Sequence, residues 1–303
     1  MDYNLITILG PTASGKTTLA AHIASRLGTG VISADSRQVY RGMDIGTGKD
    51  FADYNVDGKM VPYYLVDICN AGEKYNLYEF QKDFFKVYNE IILKGELPVL
   101  CGGSGLYIEA ILKAYKILSV PVNEPLRNEL SGKPDDELVS ILSSLQKLHN
   151  TSDTTTRKRL IRAIEIAKYK EGHLHEPTFP EINSLIIGIA FDRSEQKERI
   201  TKRLKERLEN GMVEEVKSLL EKGIASENLI YYGLEYKYIT EYLNGKYSYD
   251  EMFNLLNIAI HQFSKRQMTW FRKMEREGFR IHWIDGQLPL DKKIEKVFEL
   301  MNS

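Results

Sequence analysis

Eight residues near the N-terminus, Gly10-Pro11-Thr12-Ala13-Ser14-Gly15-Lys16-Thr17, carry the strongest chemical signal in the chain. The spacing is that of a phosphate-binding loop. Glycines at both ends let the backbone bend so that successive N–H groups face phosphate oxygens. Lys16 supplies a point charge and Thr17 a hydroxyl suited to magnesium. The apolar run "LITIL" precedes the loop and "KTTLAAHIASRL" follows it, so a strand leads in and a helix N-terminus adds its dipole. The pattern specifies a polyphosphate without specifying ATP.

Three further groups could complete such a site. Asp35 ends a short apolar segment, "GVISADS", at the edge where parallel sheets bind ligands. It reads equally as a strand-end cap or outer magnesium partner and as a general base. "CGGSGLY" is a second glycine-rich strand-to-helix turn. Ser104 there reads as a substrate contact, or the glycines serve only tight packing. Arg199, Arg203 and Arg207 recur at spacing four and so form one helical stripe. Arg199 and Arg203 are expected to reach a diphosphate, because a planar guanidinium matches phosphate oxygens. Arg207 is expected to pair with nearby glutamates or meet solvent.

Other chemistries find no support. Of the six histidines only His173 and His175 are close in sequence, and no cysteine lies near them, so they read as surface. Cys69 and Cys101 lack metal spacing and read as core thiols of a reducing, cytoplasmic protein. No run approaches a membrane span, and "MDYNLITILG" lacks the basic start of a signal peptide. A formal charge of −1 excludes a globally basic nucleic-acid binder. Three local clusters, "RKRLIR", "KERITKRLKER" and "KRQMTWFRK", still make a polyanion groove plausible on a neutral protein.

The elements that must hold these residues alternate in type. Strand, loop and helix over 5–27 give way to "GVISADS", then to a strand over "MVPYYLVDI", and then to an amphipathic helix ending near Gly95 and Pro98. "PVLCGGSGLYIEAIL" repeats strand, turn and helix. The expected fold class is α/β: a P-loop NTPase-like parallel sheet flanked by helices, with a helical insertion subdomain. The core is expected over 1–117 and 183–303, with the insertion over 118–182, which holds five of the nine prolines. "SLIIGIAF" returns to a buried strand, 194–222 reads as one long helix, 250–276 as another, and "RIHWID" as a last strand.

"GPTASGKTTLA", "ADSRQVYRGMDIGTGK", "GGSGLYIEAIL", "RKRLIRAIEI", "RITKRLKERLENGMVEEVKSLL" and "FSKRQMTWFRK" occur in this order over nearly the whole chain. Together they resemble the bacterial tRNA dimethylallyltransferase (tRNA isopentenyltransferase) family. The resemblance implies that the loop Gly10–Thr17, with Arg199, holds the diphosphate of dimethylallyl diphosphate rather than ATP. It implies transfer of the prenyl group to the exocyclic amine of the adenosine on the 3′ side of the tRNA anticodon. Lys16, Thr17, Mg²⁺ and Arg203 would then stabilise the leaving diphosphate, and Asp35 would take the amine proton. By the same resemblance Asp35, Ser36, Arg37, Gln38, Ser104 and the segment Lys158, Arg159, Leu160, Ile161, Arg162 face the tRNA anticodon stem-loop. A soluble monomer without membrane contact is expected.

The chain departs from the family pattern in places. Ser104 stands where Thr is common, and Thr156 where Asn or Asp is frequent. "YYGLEYKYI" has its Gly and Glu shifted from the expected Gly-Tyr-x-Glu, and no cysteine follows Cys101 to build a zinc finger. The rival readings are a small-molecule kinase using Asp67 as a second magnesium carboxylate, a prenyltransferase for free adenine nucleotides, and a nucleic-acid-binding NTPase.

Overall fold

Every residue of the run Leu5–Leu9 is buried, as expected of a strand covered on both faces. In the computed structural model, which describes residues 3–145, 155–172 and 178–303, this run is β1 of a parallel sheet. The chain forms two compact units, 1–114 with 180–303, and 115–179.

In the first unit β1 (Leu5–Leu9) is followed by α1 (Lys16–Leu27), β2 (Val31–Ser33), and the short strands β3 (Tyr40–Arg41), β4 (Asn55–Val56), β5 (Lys59–Met60), β6 (Tyr63–Tyr64) and β7 (Cys69–Asn70). Then come α2 (Leu77–Leu93), β8 (Val99–Gly102) and α3 (Gly105–Leu112). After the second unit the chain continues with β9 (Ser184–Ala190), and β10 (Ile281–Asp285) forms near its end. The main sheet runs β10-β9-β1-β8-β2-β6, with every neighbouring pair parallel. β1 therefore leaves for α1 and returns two places away, with β8 between β1 and β2. Leu9 pairs in register with Gly102, so the two glycine-rich turns leave the sheet side by side. A crevice at the carboxyl ends of parallel strands follows from that crossing.

Local sequence explains the element ends. Gly15 (φ 75°) admits the left-handed turn into α1, and Gly28 (φ 66°) closes it. Asn76 caps α2 by accepting from the N–H groups of Tyr78 and Glu79. The expected strand over "MVPYYLVDI" shrinks to Tyr63–Tyr64, because Leu65 (φ 60°) and Asp67 (φ 56°) turn out of extended geometry.

The expected helix over 194–222 is two helices, α7 (Arg193–Glu209) and α8 (Met212–Glu221). The Asn210–Gly211 pair breaks it, with Gly211 at φ 95°. The bend lets α7 and α8 pack with α9 (Ser226–Tyr232), α10 (Leu234–Leu243) and α11 (Tyr249–Arg276) around a second core containing Leu204, Met212, Tyr236 and Leu256. A full capping box, Ser248 with Glu251, starts α11. The last helix, α12 (Leu290–Asn302), covers the sheet with α1. No helix among the described residues is long and apolar enough to cross a membrane.

The second unit holds α4 (Glu124–Ser131), α5 (Asp135–Leu145) and α6 (Arg157–Glu171) around Leu126, Leu130, Leu138, Leu142 and Ile164. Glu165 is buried there. Burial opposes its charge, but bonds from Arg127, the Asn123 N–H and Arg162 prevail and hold its carboxyl at about 2. His173 and His175 lie outside the described residues.

Tight strand contact gives a direct test. Gly102 lies where a Cβ would strike the carbonyl of Ala34 in the neighbouring chain segment. Gly102→Ala should cost about 2–3 kcal/mol, read as a lower urea midpoint; an unchanged midpoint would refute this packing.

Candidate active site

The phosphate loop runs from Gly10 at the end of β1 to Gly15, with Ala13 (φ 61°) and Gly15 both in left-handed geometry. Gly10 is required by approach: a Cβ there would sit 2.7 Å from Ser14 Oγ and 2.9 Å from the Ile189 carbonyl. Lys16 is half-buried beside the loop, its Nζ 3.4 Å from the Pro11 carbonyl. Burial lowers its ammonium below the ordinary 10.5, and the charges of Arg203 and Arg207 push the same way. The buried Ser14 hydroxyl makes no hydrogen bond within the protein.

The arginine stripe of α7 faces this loop. Arg199 donates to the Ala13 carbonyl (3.1 Å) and lies over the Phe191 ring (4.3 Å). Arg203 donates to Thr12 Oγ1 (3.2 Å) and to Asp50 (2.9 Å). Arg207 departs from expectation. It neither meets solvent nor pairs with Glu206 or Glu209; its side chain is 13% exposed, 3.6 Å from Asp50. One of its buried terminal nitrogens has no hydrogen-bond partner. Burial and Arg203 lower it to about 10, so it remains charged at neutral pH. Periodicity placed the three on one face, and the close approach of Gly48 encloses the third beside Arg203. A side chain on Gly48 (φ 72°) would overlap both Arg203 and Arg207.

Two cavities meet here. One, about 450 Å³, is polar and is lined by Ser14, Lys16, Thr17, Arg199, Arg203 and Arg207, with Lys202, Asp50 and Asp53 at its sides. The other, about 520 Å³, is lined by Asp35, Ser36, Arg37, Gln38, Ser104 and Tyr107, and by Phe263, Arg266 and Trp270 of α11. Lys16, Thr17, Arg203 and Arg207 line both. The shared cations separate an anion chamber from a larger, partly aromatic one.

On the second side Asp35 lies just past β2, and its Oδ1 accepts from the Arg37 N–H (2.9 Å). The Ser36 N–H donates to Ser104 Oγ (3.3 Å), so the two turns touch. The Gln38 amide is engaged at both ends, by Ser33 Oγ (2.9 Å) and the Gly48 carbonyl (3.0 Å). Arg37 lies over the Tyr231 ring (5.4 Å). The loop after it is held by Glu215, whose carboxylate accepts from the N–H groups of Asp44 and Ile45 (both 2.7 Å) and Gly46 (3.0 Å), and from Tyr236 (2.7 Å). The shifted "YYGLEYKYI" segment is the α9–α10 junction, with Gly233 at φ 147°. Its Glu235 lines the larger cavity, where burial raises the carboxyl pKa against the opposing charge of Arg207.

The segment 158–162 is corrected in part. Leu160 is buried in the second unit's core, so its side chain contacts no partner, and Ile161 packs against that core. Arg162 is spent on Glu165 and the Val120 carbonyl (2.7 Å). Lys158 and Arg159 are exposed.

Residues the sequence reading passed over lie on α11 and its neighbours. Gln267 sits on the buried stripe with Ile260, Ser264 and Phe271. An amide within an apolar stripe signals an internal bonding role. Trp270 donates to Glu109 (2.7 Å), a fully buried carboxylate that also binds Lys273 and Lys113. Asp67, the carboxylate a kinase would need, is tied to Lys49 and lines neither cavity.

No group of three or more His, Cys, Asp or Glu among the described residues gathers to hold a metal alone. The donor set suits magnesium shared with a phosphate ligand: Thr17 lines both cavities, with Asp53 beside it in the smaller, polar one.

A family model described as IPP transferase matches residues 38–274, and one described as Isopentenyl transferase matches 3–65. The chain is 58% identical over 297 residues to tRNA dimethylallyltransferase 2 of Bacteroides fragilis, covering 98% of this chain and 97% of the relative. The chain belongs to the tRNA dimethylallyltransferase family. Another member, tRNA dimethylallyltransferase 1 of Parabacteroides distasonis, is 57% identical over 303 residues, covering 100% of this chain and 99% of the relative. Among solved structures, the tRNA isopentenylpyrophosphate transferase of Bacillus halodurans superposes with a TM-score of 0.73 at 32% identity, covering 99% of this chain and 96% of that one. A eukaryotic dimethylallyltransferase acting on tRNA shares the fold, with a TM-score of 0.78 at 20% identity over 94% of this chain and 74% of that one. The family and the α/β P-loop fold expected from sequence both stand.

The dimethylallyltransferase-family cradle should show a pH signature. A bound anion raises the Lys16 pKa from its lowered free value, so the lysine's contribution is complete below the free value, starts to fall there, and is lost as pH rises through the higher bound value. Pyrophosphate titrations from neutral to alkaline pH, taken as the difference between wild type and Lys16→Ala, should fall below the 10.5 of an ordinary lysine. A difference that stays flat to that value would refute the burial argument.

Proposed function

We propose that this chain transfers the dimethylallyl group of dimethylallyl diphosphate to the exocyclic amine of the adenosine on the 3′ side of the tRNA anticodon, releasing diphosphate. One observation carries the chemical reading: an anion chamber and a partly aromatic chamber share Lys16, Thr17, Arg203 and Arg207, with Asp35 on the aromatic side. The diphosphate occupies the first chamber and the adenine the second, so the reacting carbon lies at the shared wall.

In the step, the bond between the allylic carbon and the diphosphate oxygen breaks and its electron pair leaves with the diphosphate. The adenine amine forms the new C–N bond and gives its proton to the Asp35 carboxylate. Lys16, Arg203 and Arg207 hold charge where the leaving group develops it. Thr17 would hold magnesium, which supplies further neutralisation of the diphosphate when bound. Phe263, Tyr107 and Trp270 offer faces for a base taken out of its stack.

Asp35→Asn keeps an acceptor for the Arg37 N–H but cannot take a proton. It should lower single-turnover transfer by ~2 to 4 powers of ten while leaving pyrophosphate and tRNA affinities near wild type. The assay uses Mg²⁺, dimethylallyl diphosphate and unmodified tRNA, with AMP and ATP as parallel controls and mass spectrometry of the digested tRNA. Prenyl adenosine from AMP alone would make the chain a nucleotide prenyltransferase; ATP consumption without transfer would make it a kinase or NTPase.

The exposed Lys158 and Arg159 of α6 are assigned to tRNA phosphates. Replacing both with Glu should weaken tRNA binding, reduce its salt slope by about 2, and leave pyrophosphate binding unchanged. An unaltered salt slope would remove them from the interface.

A further inference from the structure

We propose that Gln267 is a positioning residue that ties the donor loop to the acceptor turn and so sets how the two substrates meet. The inference rests on the transferase reading above. Its basis is one side chain bonded at both ends. Gln267 Oε1 accepts from the Thr12 N–H (2.9 Å), in the phosphate loop. Gln267 Nε2 donates to the Gly103 carbonyl (2.9 Å), in the turn that carries Ser104. Ser104 Oγ in turn receives the Ser36 N–H, next to Asp35. The chain of contacts therefore runs from the diphosphate loop to the residue assigned to proton removal.

The chemistry selects an amide. Gln267 is 7% exposed, and each end meets a backbone group that needs a partner in a site from which water must be kept. A glutamate could accept from Thr12 but would set a charge against the Gly103 carbonyl. Gly103 independently reports the close approach, since a Cβ there would collide with Gln267 Nε2. The helix beneath is itself fixed. Trp270 donates to buried Glu109 (2.7 Å), Lys273 approaches the same carboxylate at 3.1 and 3.2 Å, and the Trp270 ring packs on Gly105. β1 and β8 pair up to Leu9 and Gly102. Beyond them the ladder ends, and Gln267 carries the connection across the two turns.

Gln267 bonds the Thr12 N–H and leaves Lys16, Thr17 and Arg203 untouched. Its loss should therefore spare each substrate's binding and misplace one against the other. A displacement near 1 Å costs about a hundredfold in rate. Gln267→Met and Gln267→Glu should each lower single-turnover transfer from preformed enzyme–donor–tRNA complexes by about a hundredfold, with the dissociation constants of inorganic pyrophosphate and tRNA within about threefold of wild type. Wild-type transfer in both variants would overturn the proposal. So would a loss of pyrophosphate or tRNA affinity in proportion to the rate, which would make Gln267 a support of one binding surface only. If Gln267→Met fails to fold, Gln267→Glu, with near-native size and polarity, decides. If the wild type transfers no prenyl group in the same assay, the transferase reading falls and takes this inference with it.

Discussion

Lys16, Arg199, Arg203 and Arg207 converge on a single loop, and their mutual repulsion is the constraint around which the site is built. Positive charge must be concentrated for a diphosphate to leave, yet the same concentration opposes folding. The protein meets this with partial neutralisation. The Ala13 carbonyl takes Arg199, the Thr12 hydroxyl takes Arg203, and Asp50 lies between Arg203 and Arg207. Burial first, and the neighbouring arginine charges after it, lower the pKa values of Lys16 and Arg207.

Holding such charges in place requires rigid support from behind. α7 presents the arginines, and the Gly211 bend lets α8 fold back so that Glu215 can grip the backbone of Asp44, Ile45 and Gly46. That grip sets Gly48, whose missing side chain makes room for Arg203 and Arg207. Buried Lys49 anchors the same loop through Asp44 and the Tyr40 carbonyl. Buried Lys49 is thus paired on this loop, whereas one buried nitrogen of Arg207 keeps no hydrogen-bond partner within the protein.

Much of this was legible in the sequence. The glycine and lysine spacing of the phosphate loop is local, and so is the strand–loop–helix context that fixes it. The expected sheet, the strand over 184–190 and the last strand all formed, because apolar runs bounded by glycine and proline carry their own secondary structure. The misses have a common cause. The long helix over 194–222 ignored Asn210–Gly211, and the strand over "MVPYYLVDI" ignored the local turn at Leu65 to Asp67. The resemblance carried Leu160 and Arg162 over as part of one tRNA-facing segment and ignored that helical geometry puts Leu160 in the core and Arg162 beside Glu165.

By itself, then, the sequence determined a phosphate-loop pattern between strand and helix on a parallel α/β sheet, with an acidic residue at the same edge, since spacing along the chain suffices for each. Tertiary structure alone decided that Arg207 joins the cradle, that Glu215 latches a loop 171 residues earlier in the chain, and that Gln267 joins two turns. Those roles depend on which polar atoms meet across the core. A single amide or carboxylate shows its partner only after distant elements have packed and the water around it has gone.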